Sequence, residues 1–400
     1  MPPHSLTATL RRLTSLALLA AFLTQAPSAS AQINRLGVLG DSLSDEYAEQ
    51  SYSYAKNWTM QLVLYRGVNL GPTAAAAGQA GGTWGEPRRT RYQTNWARYG
   101  ADSSTLLSQG QHTGVAAQVS TAGVTQAVLA IGANDFAPAL GGAYFNIYNA
   151  LWSNSQIDSY VAGRIANIQT VVNTLRSTGC GLVLASFPDY GVAPATWMSI
   201  FFSNATKRER VSAVIRRVNT GVRGIAQTER CLYADLNGLG IAIFGTNGAP
   251  RQFLKMGNQS IQLWVADTAS NSNPLAGTVD DGVHPHTTLQ GLFSNVMMTA
   301  LNLGFGASLV PFTETEMLQH AGLAYGGSDT LEAQIGRTED FVTNFRCQAD
   351  YDKDGFLTGD DFDRYISDFE AGKKSADFNG DGFVTGEDFD DFVNDFQMGC

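Results

Sequence analysis

Four short apolar runs recur along the first part of the chain. Leu36–Leu39 stops at Gly40 and Ala127–Ile131 stops at Gly132, while Gly181–Ser186 and Leu232–Asp235 have the same form. Between them the apolar positions change period. Ile157, Tyr160, Val161, Ile165, Ile168, Val172 and Leu175 recur at helical spacing, as do Val211, Val214, Ile215, Val218, Val222 and Ile225. Wholly apolar strands alternating with amphipathic helices predict an α/β fold with a parallel sheet covered on both faces. The Gly- and Ala-rich stretch Gly71–Pro87, which carries Trp84, predicts a long loop, with Arg88, Arg89 and Arg91 after it as a solvated cluster. Residues 311–346 predict a terminal helix and a linker.

The N-terminus has the form of an export signal. Arg11 and Arg12 precede the apolar run Leu16–Leu23, and Ala29-Ser30-Ala31 offers a cleavage site. Residues 1–31 are therefore expected to be a signal peptide, with Gln32 as the mature start and a secreted or cell-surface protein as the product. The run is too short for a membrane span, which needs about 20 apolar residues, and no later stretch is long enough either.

Charge divides the chain. Residues 347–400 hold 15 acidic and 4 basic residues, leaving 21 acids and 22 bases elsewhere. A near-neutral main body gives no electrostatic case for nucleic acid as a partner. The chain has 4 cysteines, and export places them in an oxidising compartment. Cys180 and Cys231 each stand just before a strand with one helix between, so a strand–helix–strand unit predicts them at the same sheet edge and paired. Cys347 and Cys400 bracket the acidic tail and are expected to staple it. The rival reading is that Cys400 joins another molecule.

Four short blocks carry chemistry. Gly40-Asp41-Ser42-Leu43 places a serine at the C-terminal end of the first strand, where α/β proteins place ligands. In Asp281-Gly282-Val283-His284-Pro285, a carboxylate three residues before an imidazole can orient the ring and leave its other nitrogen to take a proton from the serine. The other histidines remaining after cleavage are His112, His286 and His320. Asn134, in Gly132-Ala133-Asn134-Asp135, can donate a side-chain hydrogen bond to an oxyanion. Gly100, in Asn95-Trp96-Ala97-Arg98-Tyr99-Gly100-Ala101, can bring a backbone N–H to the same oxygen.

Together and in this order, the blocks resemble the SGNH (GDSL) hydrolases over 33–303. The resemblance implies Ser42 as nucleophile and Asp281 and His284 as acid and base. It also implies an oxyanion hole from Ser42, Gly100 and Asn134. The fold it implies is a three-layer α/β/α sandwich over 32–310, and the chemistry needs no cofactor.

The tail repeats itself with a period of 27 residues: Asp350-Tyr351-Asp352-Lys353-Asp354-Gly355 returns as Asp377-Phe378-Asn379-Gly380-Asp381-Gly382. Each copy reaches Asp361 or Asp388 at loop position 12. Phe356 and Phe383 stand where a backbone carbonyl ligates, and Thr358 and Thr385 stand at position 9. Oxygen donors at positions 1, 3, 5, 7 and 12 with glycine at 6 form a calcium loop, so two structural Ca2+ ions are expected. Phe362, Tyr365, Ile366 and Phe369 match Phe389, Phe392, Val393 and Phe396, one apolar helix face in each copy. The segment 347–400 resembles a dockerin, a small all-α module, which implies a protein or surface partner. Gly359-Asp360 and Gly386-Glu387 depart from the Ser or Thr that cohesin-binding dockerins carry at those positions.

The favoured reading is a secreted serine esterase acting on short-chain esters of carbohydrate, such as an acylated polysaccharide. The alternatives are a lipase or general carboxylesterase, for which Tyr144, Phe145, Ile147, Tyr148, Leu151 and Trp152 can line an acyl pocket, although a buried helix explains them as well, and a non-catalytic cell-surface or matrix-binding protein.

Overall fold

In the computed structural model the described residues are 33–264, 273–352, 357–379 and 383–399. The expected signal peptide, Asp354, Phe356, Asp381 and Cys400 lie outside them. The expected strands form as β1 (Leu36–Gly40), β2 (Gln126–Ala130), β3 (Gly181–Ala185) and β4 (Leu232–Ala234), all parallel and hydrogen-bonded in that order.

Alternation along each strand sends side chains to two separate cores. Leu36, Val38, Val128, Ala130, Val183, Ala185, Leu232 and Ala234 enter one. Leu39, Ala127, Leu129, Leu182, Leu184 and Tyr233 enter the other. The first face is covered by α1 (Trp58–Arg66), α5 (Leu236–Phe244) and α6 (Thr287–Phe305). The second is covered by α2 (Gln111–Ala122), α3 (Asn154–Arg176) and α4 (Ala205–Thr228). Both faces being dry explains why the strands read as unbroken apolar runs. No helix among the described residues is long and apolar enough to cross a membrane.

The segment expected to be a helix and linker belongs to the main body. Phe312, Met317, Leu318, Leu331 and Val342 are buried in the first core. Residues Val342–Asn344 form a fifth strand, β5, antiparallel to β4. Three residues are too few to show a period, which hid this strand in the sequence.

The cysteine pairing at the sheet edge is also corrected. Cys180 and Cys231 are free, buried thiols. In the β3–β4 register Val183 faces Leu232, so Cys231 falls opposite Leu182, not Cys180. Strands about 4.8 Å apart with a two-residue offset of about 6.6 Å separate the Cα atoms by roughly 8 Å, beyond disulfide reach. Burial pushes the Cys180 thiol up to about 12 and the Cys231 thiol up to about 11. Cys347 is disulfide-bonded; its expected partner lies outside the described residues.

The tail holds α7 (Gly359–Glu370) and α8 (Gly386–Met398) around a core of its own, built on Ala349, Tyr365, Ala376, Phe378 and Phe392. Both apolar stripes read from the repeat pack into it. Asp395 on α8 anchors the unit. One carboxylate oxygen accepts from Arg230 at 2.8 Å, and the other from the N–H groups of Gln348 and Ala349 at 3.0 and 3.1 Å.

Candidate active site

β1 ends at Gly40, where an added Cβ would stand 2.2 Å from the carbonyl oxygen of Ala130 on the neighbouring strand. Only glycine lets the chain leave the sheet so close to its neighbour. The turn that follows is fixed by Asp41, whose carboxylate accepts from the N–H of Leu43 at 3.0 Å and of Ala133 at 3.3 Å. Burial pushes the Asp41 carboxyl up to about 6, against the lowering influence of the Leu43 N–H, His284 and the Ala133 N–H. The next residue is Ser42, itself 4 % exposed.

The structure brings Ser42, His284 and Asp281 into one hydrogen-bonded chain across 242 positions of sequence. His284 Nε2 lies 2.6 Å from Ser42 Oγ, and His284 Nδ1 bonds Asp281 Oδ2. Asp281 Oδ1 accepts from the N–H of Val283 at 2.8 Å and of His284 at 3.0 Å, so the three-residue spacing is a side-chain-closed turn. Burial works to raise the Asp281 carboxyl. The side-chain bond and charge of His284, with the two backbone N–H groups, outweigh it and hold the group below its ordinary range. The ring is then buried, held at one nitrogen by a carboxylate and presented to a serine by the other, the arrangement of a general base and nucleophile.

The oxyanion blocks meet the same turn. Trp96 donates to the carbonyl of Val38 at 2.8 Å and Arg98 to that of Gly40 at 3.1 Å, which lays the Asn95–Gly100 segment along β1. Asn134 Nδ2 donates to the carbonyl of Ala101 at 2.9 Å, joining the two expected donors. Gly100 has φ +76°, and a Cβ there would meet nothing within 4 Å; the position needs glycine for its backbone conformation, not for space. The N–H groups of Ser42 and Gly100 have no acceptor among the described residues. For a residue as buried as Ser42, an N–H without an acceptor marks a place prepared for a ligand.

Among the described residues none of the remaining histidines bonds Ser42 Oγ or the Asp281 carboxylate. Burial lowers His286 to about 4, and its Nδ1 accepts from the N–H of Thr287 at the start of α6. His320 stacks on Tyr65 with ring centroids 3.6 Å apart, and burial lowers it too, to about 4. His112 is lowered by burial.

A cavity of about 60 Å³ opens beside Ser42 and His284, with Val192, Ala193, Leu236, Phe244 and Phe293 among its walls. None of the residues Tyr144 to Trp152 expected to line an acyl pocket is among the walls of this cavity. Tyr144, Ile147 and Tyr148 are buried in the second core with Phe202, and Leu151 is 60 % exposed. Their helical spacing marks a helix packed inward, which a pocket wall cannot be told from in sequence. Nor is the arginine cluster simply solvated. Arg88 lies over the rings of Trp84 and Trp96, and Arg89 and Arg91 approach Glu49.

Sequence reasoning missed a set of tyrosines around His284: Tyr52, Tyr99 and Tyr47, with ring centroids at 5.2, 5.9 and 6.1 Å. They lie outside every motif, and no periodicity links them to a histidine so far along the chain.

In the tail, Asp350, Asp352 and Asp361 each bring a carboxylate oxygen within 4.8 Å of the others. Hard oxygen donors at this spacing suit a cation such as Ca2+. The position-12 carboxylates share two backbone contacts between the copies, and Asp388 also accepts from the N–H of Phe378 at 2.8 Å. Asp361 accepts from the N–H of Asp352 and Thr358 at 3.0 and 2.8 Å, and Asp388 from Asn379 and Thr385 at 3.2 and 2.7 Å. Thr358 and Thr385 cap α7 and α8 through side chains that accept from Asp360 and Glu387. Asp377 and Phe383 belong to the second loop and are described; Asp354, Phe356 and Asp381 are not.

No protein-family model matches the chain, and no curated protein matches it. Solved structures similar to it include a GDSL-like lipase from Bacteroides thetaiotaomicron, 13 % identical with a TM-score of 0.37, covering 72 % of this chain and 96 % of that one. A psychrotrophic esterase from Pseudoalteromonas is 14 % identical with a TM-score of 0.34, covering 67 % and 97 %. An acetyl-xylooligosaccharide esterase from Geobacillus is 15 % identical with a TM-score of 0.34, covering 75 % and 100 %. Likeness at this level carries no argument about chemistry, which rests on the geometry above.

Proposed function

We propose that the protein is a secreted serine esterase of the SGNH (GDSL) type that hydrolyses short-chain acyl esters carried on carbohydrate. The observation that carries the reading is the chain Ser42–His284–Asp281, with its 2.6 Å contact between the hydroxyl and the imidazole. Ser42 Oγ attacks the ester carbonyl carbon while its proton passes to His284 Nε2. Asp281 holds the ring and stabilises the imidazolium. The negative oxygen is taken by the N–H of Ser42, the N–H of Gly100 and Asn134 Nδ2. Collapse of the tetrahedral species expels the alcohol, protonated by His284, and leaves the acyl group on Ser42. Water, activated by the same imidazole, then releases the acid.

A short acyl group is supported by size. One water needs roughly 10–15 Å³ of such space, so a cavity of about 60 Å³ holds only a few heavy atoms. Carbohydrate as the alcohol rests on the dockerin-like character of the tail. That module is proposed to bind two Ca2+ ions, one through Asp350, Asp352, Asp354, Asp361 and the Phe356 carbonyl, the other through Asp377, Asn379, Asp381, Asp388 and the Phe383 carbonyl. The ions supply folding free energy to the tail and take no part in ester cleavage. A lipase remains the second reading, favoured by exposed Ile200 and Phe201 at 86 % and 61 %, which follow the pocket residues Val192 and Ala193 in the chain.

The test is hydrolysis of p-nitrophenyl esters from acetate to palmitate beside acetate release from acetylated xylan and pectin. Highest kcat/KM at the shortest acyl groups, with acetate released from a polysaccharide, is expected. Rates that climb towards palmitate favour the lipase, and no hydrolysis of any ester favours a non-catalytic surface protein.

A further inference from the structure

The carboxylate of Asp281 has a donor that the serine–histidine–aspartate scheme does not include. Tyr52 donates its hydroxyl hydrogen to Asp281 Oδ2 at 2.9 Å, from 229 positions earlier in the chain. This is the oxygen that also faces His284 Nδ1. Tyr52 is 8 % exposed, and burial followed by the charge of Asp281 pushes its phenol up, so it stays a donor throughout the working pH range. The same side chain meets the imidazole, with ring centroids 5.2 Å apart and planes tilted by 37°. Tyr52 thus touches the acid with its oxygen and the base with its ring.

We propose that Tyr52 is a positioning residue of the hydrolytic relay, fixing Asp281 through its hydroxyl and backing His284 with its ring. This rests on the serine-esterase reading. With the two backbone N–H groups on Oδ1 and with Tyr52 and His284 on Oδ2, Asp281 is held from both oxygens. Rotation of the carboxylate would break at least two bonds at once. The phenol also draws charge from the oxygen beside the imidazole. Without it the carboxylate keeps more charge there and favours the protonated ring, which cannot act as base. Other ionisable groups within electrostatic reach are Asp41, Asp280, Tyr47, Tyr54, Tyr99 and Tyr190; Tyr52→Phe leaves all of them in place, and only the control changes Tyr54.

Tyr52→Phe keeps the ring and removes the hydroxyl. Tyr54→Phe is the control, because Tyr54 bonds Asp280 at 3.3 Å and braces the same loop without touching the relay. Two readouts are compared from pH 5 to 9 in the full-length protein: hydrolysis of p-nitrophenyl acetate, and labelling of Ser42 by a fluorophosphonate. In the labelling, an Oγ–P bond forms, fluoride leaves and the hydroxyl proton goes to His284. For Tyr52→Phe the plateau kcat and the labelling rate should fall about ten- to a hundred-fold, the loss of a hydrogen bond to a charged group. KM should change little, and the acid limb of both profiles should move to higher pH. Tyr54→Phe should match the wild type. Tyr52→Phe profiles superimposable on the wild type, or the same shift in Tyr54→Phe, overturn the positioning role. No labelling of Ser42 in the wild type instead overturns the serine-esterase reading and the Tyr52 proposal with it.

Discussion

Tyr365 lies face to face on Phe392, ring centroids 3.8 Å apart and planes 7° from parallel, and the two occupy the same place in successive copies of the repeat. The stack joins α7 to α8 at the centre of a core that buries few other residues completely. Phe392→Ala should cost the tail about 3–5 kcal/mol, the usual result of truncating a buried aromatic. Hydrogen exchange should then accelerate along 359–370 and 386–398 while the sheet strands keep their protection. Unchanged exchange in α7 would mean that the two copies are held together by something other than this pair.

Removal of calcium should act on the same segment and leave catalysis intact. Acidic loops closed around Asp361 and Asp388 repel themselves without a cation. The tail joins the main body beside Arg230 and Phe345, at the N-terminal end of β4. Ser42 stands past the opposite, C-terminal end of the parallel strand β1. EDTA added to the full-length protein should abolish protection in α7 and α8 without lowering p-nitrophenyl acetate hydrolysis. A parallel loss of activity would show that the ends of the sheet are coupled.

Asn134→Ala should lower kcat about a hundred- to a thousand-fold with little change in KM, the effect of one lost oxyanion donor. The variant also loses the bond to the carbonyl of Ala101, so Asn134→Asp is the companion: similar in shape, but placing negative charge where an oxyanion forms. It should be at least as slow. Full activity in both would move the third donor elsewhere.

What the sequence made legible followed from period and chemistry. β1 to β4 are apolar runs because both faces are covered, and α3 and α4 have apolar stripes because one side faces the sheet. Asp281 and His284 were readable because three residues close one turn. Tyr52 was not, since its partner is set by tertiary packing across most of the chain. β5 was hidden by its length and by depending on β4 for its pairing. The Cys180–Cys231 pairing failed on register, which the order of elements does not specify.

The segment around the nucleophile predicts an unusual response of stability to pH. Glu46 is pushed up to about 8 and Asp45 to about 7, in each case first by burial, and Asp41 to about 6 for the same reason. In the unfolded chain such carboxyls titrate near 4. Between about pH 4 and 8 these three groups bind more protons in the folded state than in the unfolded one, so their contribution lowers stability as pH rises through that window, while His286 and His320, lowered by burial, act the opposite way below about pH 6.5. Asp281 is shifted the opposite way, so its contribution is lost only as pH falls below the unfolded carboxyl range. Glu46→Gln isolates one group. The amide oxygen can still accept from the N–H of Tyr92, which Glu46 takes at 3.2 Å, but it carries no charge. The variant should melt higher than the wild type at pH 8, and the difference should shrink towards pH 5, where Glu46 is already neutral in the folded state. Thermal unfolding of the full-length proteins at pH 5, 6, 7 and 8, with calcium and ionic strength held constant, makes the comparison. If Glu46→Gln melts lower at pH 8, or the gap widens towards pH 5, Glu46 is ionised in the fold and stabilised by partners that outweigh its burial.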